Sequence, residues 1–136
     1  MSTVLEEKDA VRELLARYCF HFDNGEFERW LTLFTEDAVF DLGTRGRFQG
    51  RDALRNFLQI VPLTNGLPMI RHCVLNVIVA VDGQRATAQS YVVVLRGGGH
   101  ELAVSIAGRY EDQLAKVGGE WRFAERKVLF DLMGAP

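Results

Sequence analysis

An α+β domain is predicted, with N-terminal helices laid against a long, curved, mostly antiparallel sheet. Three observations carry this expectation. Helical periodicity is confined to the chain before Pro62. From Met69 the pattern changes to long β-rich runs joined by glycine turns. No linker, repeat or low-complexity segment interrupts the chain. Helices segregated from strands make the α+β class, whereas strict alternation would make a parallel sheet. A sheet of such long strands must coil, and the first helix is the obvious cover for its concave side. The expected shape is a cone with a pocket between helix and sheet.

The first helix is expected from about Thr3 to Phe22, capped by Ser2 or Thr3 with Glu6 placed for a capping box. At about 100° per residue, Val11, Leu14, Leu15, Tyr18, Cys19 and Phe22 fall in one apolar arc. Asn24-Gly25 breaks the helix, and a second follows near Glu26 to Phe34, burying Phe27, Trp30, Leu31 and Phe34. Ala38 to Leu42 alternates like a short strand, and Gly43 to Gln49 reads as an arginine-bearing loop. Gly50 to Ile60 is the third helix, ending before Pro62. Long strands are expected over Arg71 to Val81, Arg85 to Arg96, His100 to Ala115 and Glu120 to Phe130. The turns between them are Asp82-Gly83, Gly97-Gly98-Gly99 and Gly118-Gly119.

Length and composition narrow the function. The 136 residues make one domain, residues 1–136, large enough for a core without staples. A hydrophobic fraction of 48% and a charged fraction of 25% are those of an ordinary soluble globule. Net charge is −2 with no run of like charges, which argues against a nucleic-acid partner and against a polybasic membrane anchor. The N-terminus lacks a signal-peptide pattern, and no apolar run approaches the roughly twenty residues that span a bilayer. Cys19 and Cys73 are expected to be reduced, buried thiols, which suits a cytoplasmic protein. Three histidines without a close pair, and no CxxC, argue against a structural metal site.

A few residues stand out against this background. Asp23 continues the row Leu15-Cys19-Asp23 at the edge of the helical arc, beside Tyr18 and Phe22. Burying a carboxylate is costly unless it finds a partner. On position alone, the commoner explanation is a helix-end residue bonded to local backbone or water. His72 begins the first long strand on a face with Ile70, Val74, Asn76 and Ile78; a two-residue turn at Asp82-Gly83 would pair it with Val93 and put Tyr91 on the same face. The opposite face, Cys73, Leu75, Val77, Val79 and Val81, reads as the drier one. Such a mixed face suits a pocket wall, and it suits an edge histidine too. Arg126 shares a face with Ala124, Val128 and Phe130, while Trp121, Phe123, Glu125 and Lys127 occupy the other. Either Arg126 meets an anion inside or it snorkels from an edge strand. His21 and His100 read as rim and turn residues, Asp37 and Asp41 as turn or edge residues, and Arg45, Arg47 and Arg51 as solvated. The triple glycine lacks the lysine and following helix of a phosphate loop.

Tyr18 to Asp23, "WLTLFTEDAVFDL" (30–42), "FQGRDALRNFL" (48–58), "RHCVLNVIV" (71–79) and "GGEWRFAER" (118–126) resemble the SnoaL-like proteins of the nuclear transport factor 2-like superfamily. The resemblance spans nearly the whole chain and is more specific for the fold than for the reaction. It implies a cone-shaped α+β domain, a pocket inside the cone, and a homodimer. Among its lyases, scytalone dehydratase, bile acid dehydratase and hexachlorocyclohexane dehydrochlorinase pair an aspartate ending the first helix with a histidine on the first long strand. Asp23 and His72 match those positions. Tyr18 matches the tyrosine of the bile acid dehydratase, and Arg126 a functional arginine of the dehydrochlorinase. The resemblance thus implies elimination from a small, largely apolar cyclic molecule without cofactor. His72 would be the base, Asp23 its orienting partner, Tyr18 a donor, and Arg126 a stabiliser of developing charge. Tyr18 and Arg126 are expected to affect turnover rather than folding. The same fold also serves polyketide cyclases, isomerases and the non-catalytic small subunits of ring-hydroxylating dioxygenases.

Overall fold

The computed structural model describes residues 2–134. Helix α1 (Val4–Asp23) opens at Thr3, whose hydroxyl accepts from the Glu6 amide while the Glu6 carboxylate accepts from the Thr3 amide. This reciprocal cap satisfies two donors that the first turn would otherwise leave unpaired. The predicted arc is the buried one: Val11, Leu14, Leu15, Tyr18, Cys19, Phe22 and Asp23 all face the core. Asn24 caps the helix and Gly25, at φ +72°, turns the chain. A Cβ there would come 2.9 Å from the Gly66 carbonyl oxygen. Glycine thus lets the turn around residues 64–67 close on the helix end, next to Asp23.

The second helix is shorter than expected. Helix α2 (Phe27–Leu31) stops where the Thr32 hydroxyl bonds the Arg29 carbonyl, and Phe34 starts strand β1 (Phe34–Asp41) instead of ending the helix. Phe34 is fully buried beside Trp30, at 4.6 Å between ring centroids, so the apolar contact survives the change of backbone. The expected arginine loop is a 3-10 turn (Gly43–Arg45) followed by strand β2 (Arg47–Gln49), which pairs antiparallel with β1. Helix α3 (Arg51–Gln59) then leads to β3 (Ile70–Asp82), β4 (Arg85–Gly98), β5 (Glu101–Val117) and β6 (Glu120–Met133). The six strands form one sheet in the order β2-β1-β6-β5-β4-β3. Only the β1–β6 pairing is parallel.

Two bulges correct the predicted faces. On β3 the register shifts between Leu75 and Ile78, where Asn76 adopts φ +57°, a conformation asparagine tolerates better than most residues. Ile70, His72 and Val74 point to the concave side, but beyond the bulge Val77, Val79 and Val81 take that side and Ile78 is exposed. The turn is Gly83-Gln84, which alone would set His72 opposite Leu95; the bulge takes back one residue, so His72 pairs with Val94 rather than Val93, and Tyr91 lies exposed on the outer face. On β6 the register shifts between Phe123 and Glu125. Trp121 and Phe123 are buried before it, Arg126 and Val128 after it, so each predicted face is half correct. Among the described residues, no helix is long and apolar enough to cross a membrane.

Candidate active site

Helix α1, the β1–β2 hairpin, α3 and the inner sheet face enclose a cavity of about 540 Å³, a size that takes a small organic ligand. Its walls are largely aromatic and aliphatic: Phe22, Phe40, Phe48, Phe57, Val92 and Val128 among others. Tyr18, His72 and Tyr110 bring polar groups to its buried end, with ring centroids 5.9 Å (Tyr18–His72) and 5.8 Å (Tyr18–Tyr110) apart. Arg45 stands exposed at the mouth.

Asp23 lies behind His72 and spends both carboxylate oxygens on it. One accepts from the ring Nδ1 at 2.6 Å, the other from the His72 backbone amide at 2.8 Å. The helix end positions the carboxylate. Strand β3 is the sheet edge at this side, so the His72 amide has no neighbouring strand to bond and meets the helix terminus instead. The Asp23 side chain is 3% exposed and that of His72 11%. An ionised carboxylate can only accept, so Nδ1 is the nitrogen that carries the proton, and in the neutral ring the lone pair is on Nε2. Among the described residues no group hydrogen-bonds Nε2. Edge-on contacts from the rings of Tyr18 and Phe22 fix the imidazole plane. The plainer explanation of Asp23, a bond to local backbone or water, is therefore not the one the fold adopts.

Arg126 occupies the layer beneath. It is 0% exposed and forms a bidentate pair with Asp112, Nε and Nη2 donating at 2.8 and 2.9 Å. Its guanidinium carbon lies 3.6 Å from the Tyr110 ring centroid and 4.3 Å from those of Tyr18 and Phe123. Burial opposes the charge, but the Asp112 carboxylate outweighs it and holds Arg126 above its ordinary pKa. Burial also pushes the Tyr18 phenol up to about 12, against the pull of Arg126, and raises Tyr110 well above its ordinary value. Both phenols are therefore neutral donors. Arg126 does not line the cavity. The rings of Tyr18 and Tyr110 lie between it and the cavity, because the bulge and the Asp112 pair hold it below the floor. The alternative of a solvated edge arginine is overturned, since β6 runs between β1 and β5.

Tyr110 and Asp112 were not singled out from sequence, although they share one face of β5. The signal available was an acidic residue two positions from a tyrosine in an otherwise apolar alternation. Arg45 is exposed, as expected, and it also lies over the Phe130 ring at 4.4 Å and lines the cavity. His21 bonds Glu26 at 3.1 Å on the rim, and His100 lies exposed in the β4–β5 turn. Asp41 accepts from the Gly43 amide and Asp37 from the Thr35 hydroxyl, as turn and edge residues do. Cys19 is buried and Cys73 half-buried, both free thiols. Among the described residues no three His, Cys, Asp or Glu side chains converge where they could hold a metal ion.

Comparison with known proteins places this geometry. A family described as "SnoaL-like domain" matches residues 3–127. The anthranilate 1,2-dioxygenase small subunit of Burkholderia cepacia is 26% identical over 132 residues, covering 85% of this chain and 81% of that one. A Mycobacterium tuberculosis protein of unknown function superposes with a TM-score of 0.83 at 30% identity, over 95% of this chain and 74% of that one. A candidate scytalone dehydratase from Novosphingobium aromaticivorans gives 0.78 at 26% identity, over 91% and 83% of the two chains.

Proposed function

Because the chain belongs to the SnoaL-like domain family, we propose that it is a cofactor-independent lyase acting on a small, largely apolar cyclic molecule. The observation that carries this reading is the doubly bonded Asp23–His72 pair beside Tyr18 at the buried end of an apolar cavity. Neutral His72 takes a C–H proton through Nε2, and the electron pair of that bond becomes the new double bond. The adjacent hydroxyl or halide leaves with its own bonding pair. Asp23 holds the tautomer and stabilises the imidazolium. Tyr18 donates a hydrogen bond to a substrate carbonyl or to the departing group, and a departing hydroxide takes the proton that His72 accepted, leaving as water and returning the base to its neutral form. Arg126 acts as a positioning residue, its charge polarising the phenols it touches. Similarity to the candidate scytalone dehydratase supports a dehydration.

A screen of cyclic hydroxy and halo compounds for elimination products, read by mass spectrometry, tests the reading. Products of unchanged mass would assign isomerisation, or the first step of a cyclisation, instead. With a substrate in hand, Tyr18→Phe is expected to keep the fold and lower turnover roughly a hundredfold, as loss of one transition-state donor does. Unchanged turnover would remove Tyr18 from the chemistry.

A second reading draws on the Burkholderia relative: a non-catalytic small subunit of an aromatic-ring dioxygenase. A tight complex with a larger subunit, together with an inert cavity, would establish it. We further propose a cytoplasmic homodimer joined through the outer sheet face, where Leu75, Ile78 and Tyr91 are 45%, 60% and 53% exposed. Sedimentation is expected to show a dimer at micromolar concentration, and a monomer alone would contradict it.

A further inference from the structure

We propose that the ligand of this cavity carries a carboxylate, bound by Arg45 at the mouth while its ring lies among the aromatic walls. The inference rests on the cavity being the substrate site, and it adds the polarity and orientation of what enters.

Arg45 and His72 are the only cavity-lining residues that can carry positive charge, and no carboxylate lines the cavity among the described residues. The Arg45 guanidinium has no carboxylate partner among the described residues: it contacts the Phe130 ring at 4.4 Å and the Met133 sulfur at 3.9 Å. That arrangement leaves guanidinium donors uncommitted among the described residues, beside the cavity that Arg45 lines. Stacking on an aromatic face preorganises the planar fork, so less freedom is lost when an anion is gripped. The buried end has the opposite character. Arg126 is already neutralised by Asp112, and the Asp23 carboxylate stands behind His72. An anionic group entering first would meet the field of Asp23 and two neutral phenols. An apolar ring entering first would fill the aromatic zone, bring its reactive carbon to His72, and leave its carboxylate at the mouth beside Arg45. The charge asymmetry therefore selects one direction of entry.

The test is equilibrium binding of 2-naphthoate and its neutral counterpart 2-naphthamide by calorimetry, which needs no turnover. The wild-type chain is expected to bind the carboxylate about tenfold more tightly, the scale of a partly desolvated charged hydrogen bond. Arg45→Gln should erase that difference and leave the amide affinity unchanged. Arg47→Gln should preserve it, because Arg47 lies outside the cavity and bonds Gln49. Equal binding of both probes by the wild type, a preference that survives Arg45→Gln, a preference lost equally with Arg47→Gln, or binding of neither probe would each overturn the inference. Failure here is separable from failure of the lyase reading. An Arg45-dependent preference in a protein that eliminates nothing would leave this inference standing alone, and elimination from neutral substrates without that preference would do the reverse.

Discussion

His72→Ala is expected to lose roughly 10²–10⁴-fold in turnover, the worth of a positioned general base, while the chain stays folded. The fold should survive because the backbone amide at position 72 still donates to Asp23 whatever side chain it carries. Asp23→Asn is the more informative partner. An asparagine oxygen can still accept from that amide, but its nitrogen can only donate toward Nδ1. The imidazole would then hold its proton on Nε2, and the base would have no lone pair facing the cavity. A loss comparable to that of His72→Ala should follow with little change in shape. The double variant should be scarcely worse than either single one, because the two residues act as a unit. Rates measured on the four proteins decide it: losses that multiply would show two independent residues and dissolve the pair.

Arg126→Ala is expected to cost about 3–5 kcal/mol of stability, the usual result of orphaning a buried charge. This reverses the expectation from sequence that Arg126 could be removed without affecting the fold. Both members of the pair are fully buried, and Arg126 packs against three aromatic rings. Losing it leaves the Asp112 carboxylate with no cation in a dry layer, and Asp112→Ala should be comparably harmful from the other side. Replacing both by Met and Leu should recover most of the loss, since an apolar pair of similar volume needs no solvation. If the repacked variant folds well yet turns over slowly, Arg126 contributes to the chemistry through Tyr18 and Tyr110. If turnover is intact, the pair is purely structural. Thermal melts of the two single variants within a degree of the wild type would show that the pair carries no stability.

The outline of the cone was legible because helical periodicity stops before the loop ahead of β3 and glycine turns separate the long strands after it. The arc ending in Tyr18, Phe22 and Asp23 was legible for the same reason: a period of 3.6 is robust to a residue gained or lost at the ends. The strand faces were not, because a single bulge inverts every side chain beyond it. From the turn at Gly118-Gly119, an unbroken ladder sets Asp112 opposite Glu125, a repulsive pair. The extra residue at Ala124 sets it opposite Arg126 instead. Nothing in the alternation of Trp121 to Phe130 announces that residue. The contact of Arg45 with Phe130 was not legible because a run of small and basic residues looks like an open loop, and only the closure of β2 onto β1 brings the exposed arginine over that ring.

The bond from the His72 amide to Asp23 has a consequence beyond chemistry. Strand β3 is an edge strand, and an unguarded edge is a template onto which a foreign strand can add. The carboxylate that orients the imidazole also occupies a donor on that edge, so one side chain both holds the ring and guards the strand. The two halves of the pair are then unequal to a cell. A chain that loses the histidine keeps the bond from the amide at position 72, and with it that part of the edge stays closed. A chain truncated at Asp23 leaves that amide bare and opens the start of β3 to self-templating, so selection against aggregation bears on the aspartate whatever the cavity does.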